Sequence, residues 1–190
     1  MNKLYVVGLG PGDHKKMTVE AAGILDKCEV IAGYSVYIDL IKERYENKEF
    51  IVTGMRQEEE RCKRAIEKAE EGYKTAVVCS GDSGVYGMAG LIMELCQDRE
   101  NIEVEVVAGV TAALSGGAVL GAPLGHDFSV ISLSDLMTTW EKIENRLRCA
   151  AMCDMVICLY NPSSRKRKDY LKKACEIVME YKDWDTVCGY

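Results

Sequence analysis

Chemistry in this 190-residue chain can sit on a few glycine-rich and polar turns. Val7-Gly8-Leu9-Gly10-Pro11-Gly12-Asp13 follows an apolar run, so it reads as a strand-to-helix turn where a ligand can lie directly on backbone. A nicotinamide fingerprint needs a third glycine where Asp13 stands and an acidic residue where Gly33-Tyr34 closes the next strand, so the dehydrogenase reading fails twice. A Gly-x-x-x-x-Gly-Lys phosphate loop is also missing. Cys79-Ser80-Gly81-Asp82-Ser83-Gly84-Val85-Tyr86-Gly87 ends a second apolar run. Ser83 invites a hydrolase reading, but Val85 replaces the closing glycine of a nucleophile elbow, and His14 and His126 are the only histidines that could serve as its base. Cys79 lies at the buried end of an apolar strand, where a thiol is a poor nucleophile. Gly109-Val110-Thr111-Ala112 and Leu159-Tyr160-Asn161-Pro162 close two further runs.

The elements that position these turns alternate strand and helix, the pattern of an α/β protein with mostly parallel strands. Strands are predicted at 4–7, 30–32, 75–79 and 102–107, with helices at 18–28, 35–45, 57–71, 87–97 and 111–120. Thr18 is placed to cap the first helix, and Gly72 to end the third. The breaker-rich Gly121-Ala122-Pro123-Leu124-Gly125 marks a boundary between a domain at 1–120 and another at 121–190. The second domain is read as a strand at 128–133, a helix at 140–152, a strand at 155–160, a helix at 164–181 and a strand beginning at Thr186. A strand starting so near Tyr190 makes this domain look incomplete.

Lys plus Arg number 24 against 30 Asp plus Glu, giving a net charge of -6 and a pI near 5.1, which argues against a general binder of nucleic acid or anionic membrane. An anionic ligand must therefore find a local cationic site. No apolar stretch approaches the roughly 18 residues of a spanning helix, and Met1-Asn2-Lys3-Leu4 runs into a strand pattern rather than a signal sequence, so a cytoplasmic location is expected. The nine cysteines are odd in number and several lie in apolar runs, as buried reduced thiols do. Without Cys-x-x-Cys or His-Glu-x-x-His, no metal site is expected.

Taken in order, Gly8-Leu9-Gly10-Pro11-Gly12, Ser80-Gly81-Asp82 through Tyr86-Gly87-Met88-Ala89, Gly109-Val110-Thr111-Ala112 and Leu159-Tyr160-Asn161-Pro162 resemble the four signatures of the tetrapyrrole (corrin/porphyrin) methylase family. Ala122-Pro123-Leu124-Gly125-His126-Asp127-Phe128, Ile131-Ser132-Leu133-Ser134-Asp135-Leu136-Met137-Thr138 with Trp140-Glu141, and Asn161-Pro162-x-Ser164 are similar to the branch that methylates carbon 17 of a precorrin or cobalt-precorrin with ring contraction, in cobalamin biosynthesis. Thr139 replaces a proline common in that branch.

The resemblance implies two α/β domains with S-adenosylmethionine in a cleft between them, the tetrapyrrole methylase fold, continuing past residue 190. By motif match the cofactor contacts are Leu9 and Gly10, then Asp82, Gly84, Val85 and Tyr86, then Thr111 and Ala112, and lastly Leu159 and Tyr160. Ring contraction needs a proton-transfer group, for which His126, Asp135 and Asp13 stand at loop ends; for His126 the alternative is an ordinary loop histidine. The substrate's carboxylates call for cations, and Arg165 and Arg167 in the run 165–168 are candidates, with Arg56 another; a solvated helical turn is the competing reading of that run. The resemblance also implies a homodimer. Competing functions are a relative that methylates another ring carbon, ribosomal RNA or a diphthamide precursor, and an inactive truncated binding module.

Overall fold

The structure is a computed structural model and describes residues 1–164 and 166–190. It divides into two compact units, Met1–Ser115 and Gly116–Tyr190, a division that falls inside the helix preceding Gly121.

The first unit runs β1 (Asn2–Gly8), α1 (Val19–Lys27), β2 (Val30–Tyr34), α2 (Ser35–Asp39), β3 (Glu49–Thr53), α3 (Glu58–Glu70), β4 (Thr75–Cys79), α4 (Ala89–Leu95) and β5 (Ile102–Val107). The strands form one parallel sheet in the order β3-β2-β4-β1-β5. Their composition dictates this: β4 is buried at every position, which is stable only when helices cover both faces. Successive side chains along a strand point to opposite faces. Thus Val6, Val30 and Val77 pack with Cys62, Ile66 and Ile92 on one face, while Val7, Ile31 and Val78 pack with Leu25 and Ile38 on the other. Helix α1 is capped by Thr18, whose Oγ1 accepts from the Ala21 amide at 3.1 Å. Gly72, at φ 96°, turns the chain out of α3.

Between β1 and β4, neighbours at the centre of the sheet, the connections diverge. The chain leaving β1 goes over one face to β2, and the chain leaving β4 goes over the other face to β5. Such a switch point opens a crevice at the carboxyl ends of the strands, and both glycine turns lie there.

Helix α5 (Ala112–Val119) leads into the second unit, which comprises β6 (Phe128–Ser132), α6 (Trp140–Met152), β7 (Val156–Tyr160) and α7 (Tyr170–Val178). Strands β6 and β7 pair in parallel, and Ile131, Leu133, Ile143, Leu147, Ala174 and Ile177 make a separate core.

Three predicted elements differ. The helix expected over 35–45 stays regular only through Asp39; the chain then continues in tight turns that bring Tyr45 into the core at 1% exposure, ready to enter β3. The helix expected from residue 164 starts at Tyr170, because Arg167 is drawn to Ser134 and Asp135 instead. No strand forms from Thr186: its amide and hydroxyl both donate to the Asp183 carbonyl, closing a turn. Residue type favoured a strand there, but a strand also needs a neighbour to pair with.

Candidate cofactor-binding site

The ends of β1, β4 and β5 converge so tightly that only glycine fits. A Cβ on Gly8 would stand 2.7 Å from both the Gly109 nitrogen and the Gly81 oxygen, and one on Gly109 would stand 2.2 Å from the Gly81 oxygen. Gly10 and Gly81, at φ 68° and 66°, form an isolated antiparallel bridge in which each amide donates to the other's carbonyl, at 2.9 and 2.8 Å. The Leu9 amide donates to the Cys79 carbonyl at 2.8 Å while the Leu9 side chain is buried in the core.

Asp82 organises the second turn. Its Oδ1 accepts from the amides of Gly84 (2.8 Å) and Val85 (3.1 Å), and its Oδ2 accepts from the Gly109 amide (2.9 Å), tying the loop after β4 to the loop after β5. Beneath it, Ser83 is fully buried and its hydroxyl donates to the Val107 carbonyl at 3.2 Å. That hydroxyl is a structural strut, not an exposed nucleophile. Burial likewise pushes the Cys79 thiol up to about 11, and its Sγ accepts from the Met88 amide. Tyr86 is half exposed and holds φ 53°, a left-handed conformation that costs a non-glycine residue roughly 1 kcal/mol or more. Thr111 and Ala112 open α5 beside this turn: a Cβ on Gly81 would lie 3.6 Å from the Thr111 Cα.

The consequence is chemical. The amides of Leu9, Gly10, Gly84 and Val85 are all consumed inside the protein. What these positions retain for a ligand is acceptor capacity, the second lone pairs of the Gly10 and Gly81 carbonyls and the partly exposed Asp82 carboxylate. At these four positions a phosphate, which binds through free amides, finds none, whereas a cation with hydrogen-bond donors finds acceptors.

The remaining candidates are distributed elsewhere. Asp13 caps a single 3-10 turn, accepting from the Lys15 amide at 2.9 Å. Arg56 is exposed at φ 66°. In the second unit, Leu159 and Tyr160 end β7, and His126 is exposed just ahead of β6. Asp135 accepts from the Tyr170 hydroxyl (2.7 Å) and from Arg167 Nη1 (3.2 Å), and these two donors hold its carboxyl below the usual aspartate range. A carboxylate so held is a poor proton donor. Arg165 lies outside the described residues, whereas Arg167 is largely buried against Ser134 and Asp135.

Two residues matter beyond what the motifs alone indicate. The missing side chain of Gly109 is what lets β5 approach Gly8. Arg61, on α3, is 3% exposed and donates to Thr53 Oγ1 (2.8 Å) and to the Gly54 carbonyl (3.2 Å), latching the end of β3 to α3. Its place on the apolar stripe of α3 was the available signal.

An all-parallel sheet with glycine turns gathered at its switch point is the arrangement in which open α/β sheets take ligands at the strands' carboxyl ends. The family model of the Tetrapyrrole (Corrin/Porphyrin) Methylases matches residues 3–189, and the chain belongs to that family. It is 45% identical to the "Probable cobalt-factor III C(17)-methyltransferase" of Salmonella typhimurium, over 98% of this chain and 78% of that protein. It is 41% identical to the "Cobalt-factor III methyltransferase" of Priestia megaterium, over 98% of this chain but 36% of that longer protein. Among solved structures, that of "the methyltransferase CobJ" superposes with a TM-score of 0.89 at 37% identity, covering 96% of this chain and 77% of that one. Among the described residues, no helix is long and apolar enough to cross a membrane.

Proposed function

We propose that this chain transfers a methyl group from S-adenosylmethionine to carbon 17 of a precorrin or cobalt-precorrin macrocycle, with ring contraction, in cobalamin biosynthesis. The observation that carries the reading is the locked convergence of three glycine turns, in a chain 45% identical to a probable cobalt-factor III C(17)-methyltransferase. The acceptor-rich rim fits the cofactor, whose sulfonium, ammonium and adenine amino group are cations or donors. S-adenosylmethionine supplies a methyl group already activated by the positive sulfur. The protein's task is then to hold acceptor carbon and methyl in line at about 3 Å and to keep water out. Asp82 serves by fixing the Gly84, Val85 and Gly109 backbone, so that rim carbonyls and the carboxylate itself need not reorganise when the cation arrives. Pre-set dipoles of this kind lower a barrier because their ordering cost is met during folding. A cytoplasmic homodimer belongs to the same proposal.

Calorimetric titration of the chain with S-adenosylmethionine tests the first half of the reading. Saturable binding that is lost in Gly109→Ala is expected; absence of binding by the wild-type chain contradicts it.

A further inference from the structure

The loop between β6 and α6 is tied down at both ends, and between them it carries two apolar side chains into solvent. Ser132 Oγ accepts from the Ser134 amide (3.2 Å) and from Asn161 Nδ2 (3.0 Å), and the Leu133 amide donates to the Tyr160 carbonyl (2.8 Å), so the carboxyl ends of β6 and β7 are stitched together. Arg167 donates to Ser134 Oγ (2.8 Å) and to Asp135, while the Tyr170 hydroxyl takes the other Asp135 oxygen. Tyr170 packs on Trp140 with ring centroids 4.4 Å apart, which fixes the far end of the loop. Between these anchors stand Leu136, 81% exposed, and Met137, 96% exposed.

A single exposed leucine requires no explanation. Two adjacent apolar side chains between anchored loop ends do, because the anchors have already removed part of the freedom that binding would otherwise cost. The loop lies at the carboxyl edge of a parallel sheet, the edge where α/β folds receive ligands. Its surroundings also differ in charge from the rest of the chain. Gly116–Tyr190 carries ten cationic and ten anionic side chains, so the whole acidic excess of -6 falls on Met1–Ser115. Lys166 and Lys168, both exposed, flank Arg167 in the segment that holds the loop. An apolar pad whose anchoring segment carries exposed lysines complements a flat apolar ring whose rim bears carboxylates.

We infer that Leu136 and Met137 form a preset apolar pad that receives one face of the tetrapyrrole, with Lys166 and Lys168 meeting its peripheral carboxylates. The inference rests on the methylase reading above and makes the loop over 134–139 a determinant of substrate choice rather than of cofactor binding.

The test is an absorbance titration of the full chain with cobalt-factor III, run beside calorimetry with S-adenosylmethionine, on wild type, on Leu136→Ser/Met137→Ser and on Lys166→Ser/Lys168→Ser. Loss of the pad should raise the tetrapyrrole Kd about tenfold or more while leaving cofactor affinity and circular dichroism unchanged. The lysine variant should bind more weakly at low salt and lose most of the wild type's salt dependence. An unchanged tetrapyrrole Kd in the pad variant overturns the inference, as does a change confined to oligomeric state by light scattering, which would make the pad a contact between copies. A wild-type chain that binds no tetrapyrrole removes the methylase reading itself, and the inference with it.

Discussion

At the scale of single residues, the site depends on what is missing or enclosed more than on reactive groups. Gly109→Ala places a methyl where only 2.2 Å separates it from the Gly81 oxygen, so β5 must shift away from β1 and the Asp82 contact to the Gly109 amide must break. A loss of about 1–3 kcal/mol in denaturant stability is expected, together with loss of cofactor binding. Ser83→Ala separates two readings of the same turn. As a strut, the hydroxyl satisfies the Val107 carbonyl, and its removal costs about 1–3 kcal/mol while the folded variant still transfers methyl. A folded Ser83→Ala protein with no methyl transfer would return Ser83 to the chemistry. The turns themselves were legible in the sequence as breakers at strand ends. That the amides of Leu9 and Gly10 are spent on Cys79 and Gly81 was not, because partners so far along the chain leave no local trace.

At the scale of elements, the parallel strands were legible because fully buried strands read as continuous apolar runs, as Thr75–Cys79 does. The amphipathic α3 and α6 were legible from their spacing. Failures occurred where tertiary contacts overrode local preference, as in the segment before α7, which Arg167 pulls toward Asp135. That tether has a pH signature. Donation from Tyr170, and after it from Arg167, depresses the Asp135 carboxyl in the folded state relative to an unfolded value of about 3.9. The stabilisation is therefore present above about pH 4 and is lost as pH falls through the lower folded value. Asp135→Asn should melt below wild type at neutral pH, with the gap closing under acid. A gap that persists unchanged in acid would mean that the asparagine acts by some route other than charge.

At the scale of the whole molecule, two cores divide the chain, and its thiols report on them differently. Burial pushes Cys28 and Cys62 up to about 12 and Cys79 up to about 11, so they stay protonated and enclosed, whereas Cys149, Cys153, Cys175 and Cys188 are exposed. Alkylation of the native protein followed by peptide mass analysis should label those four first and reach Cys28, Cys62 and Cys79 only on unfolding. Early labelling of Cys79 would mean that the turn after β4 opens in the native state. The acidic balance of the chain argues against a general polyanion binder from composition alone, but the confinement of that acidity to the first unit emerges only once the division of the chain is known. The central claim is transfer of one methyl to a ring carbon, and the direct measurement is the mass and labelling position of the tetrapyrrole after incubation of the chain with cobalt-factor III and methyl-labelled S-adenosylmethionine. The account predicts one labelled methyl at carbon 17 of a contracted ring; an unmodified tetrapyrrole, or label on any other carbon, would contradict it.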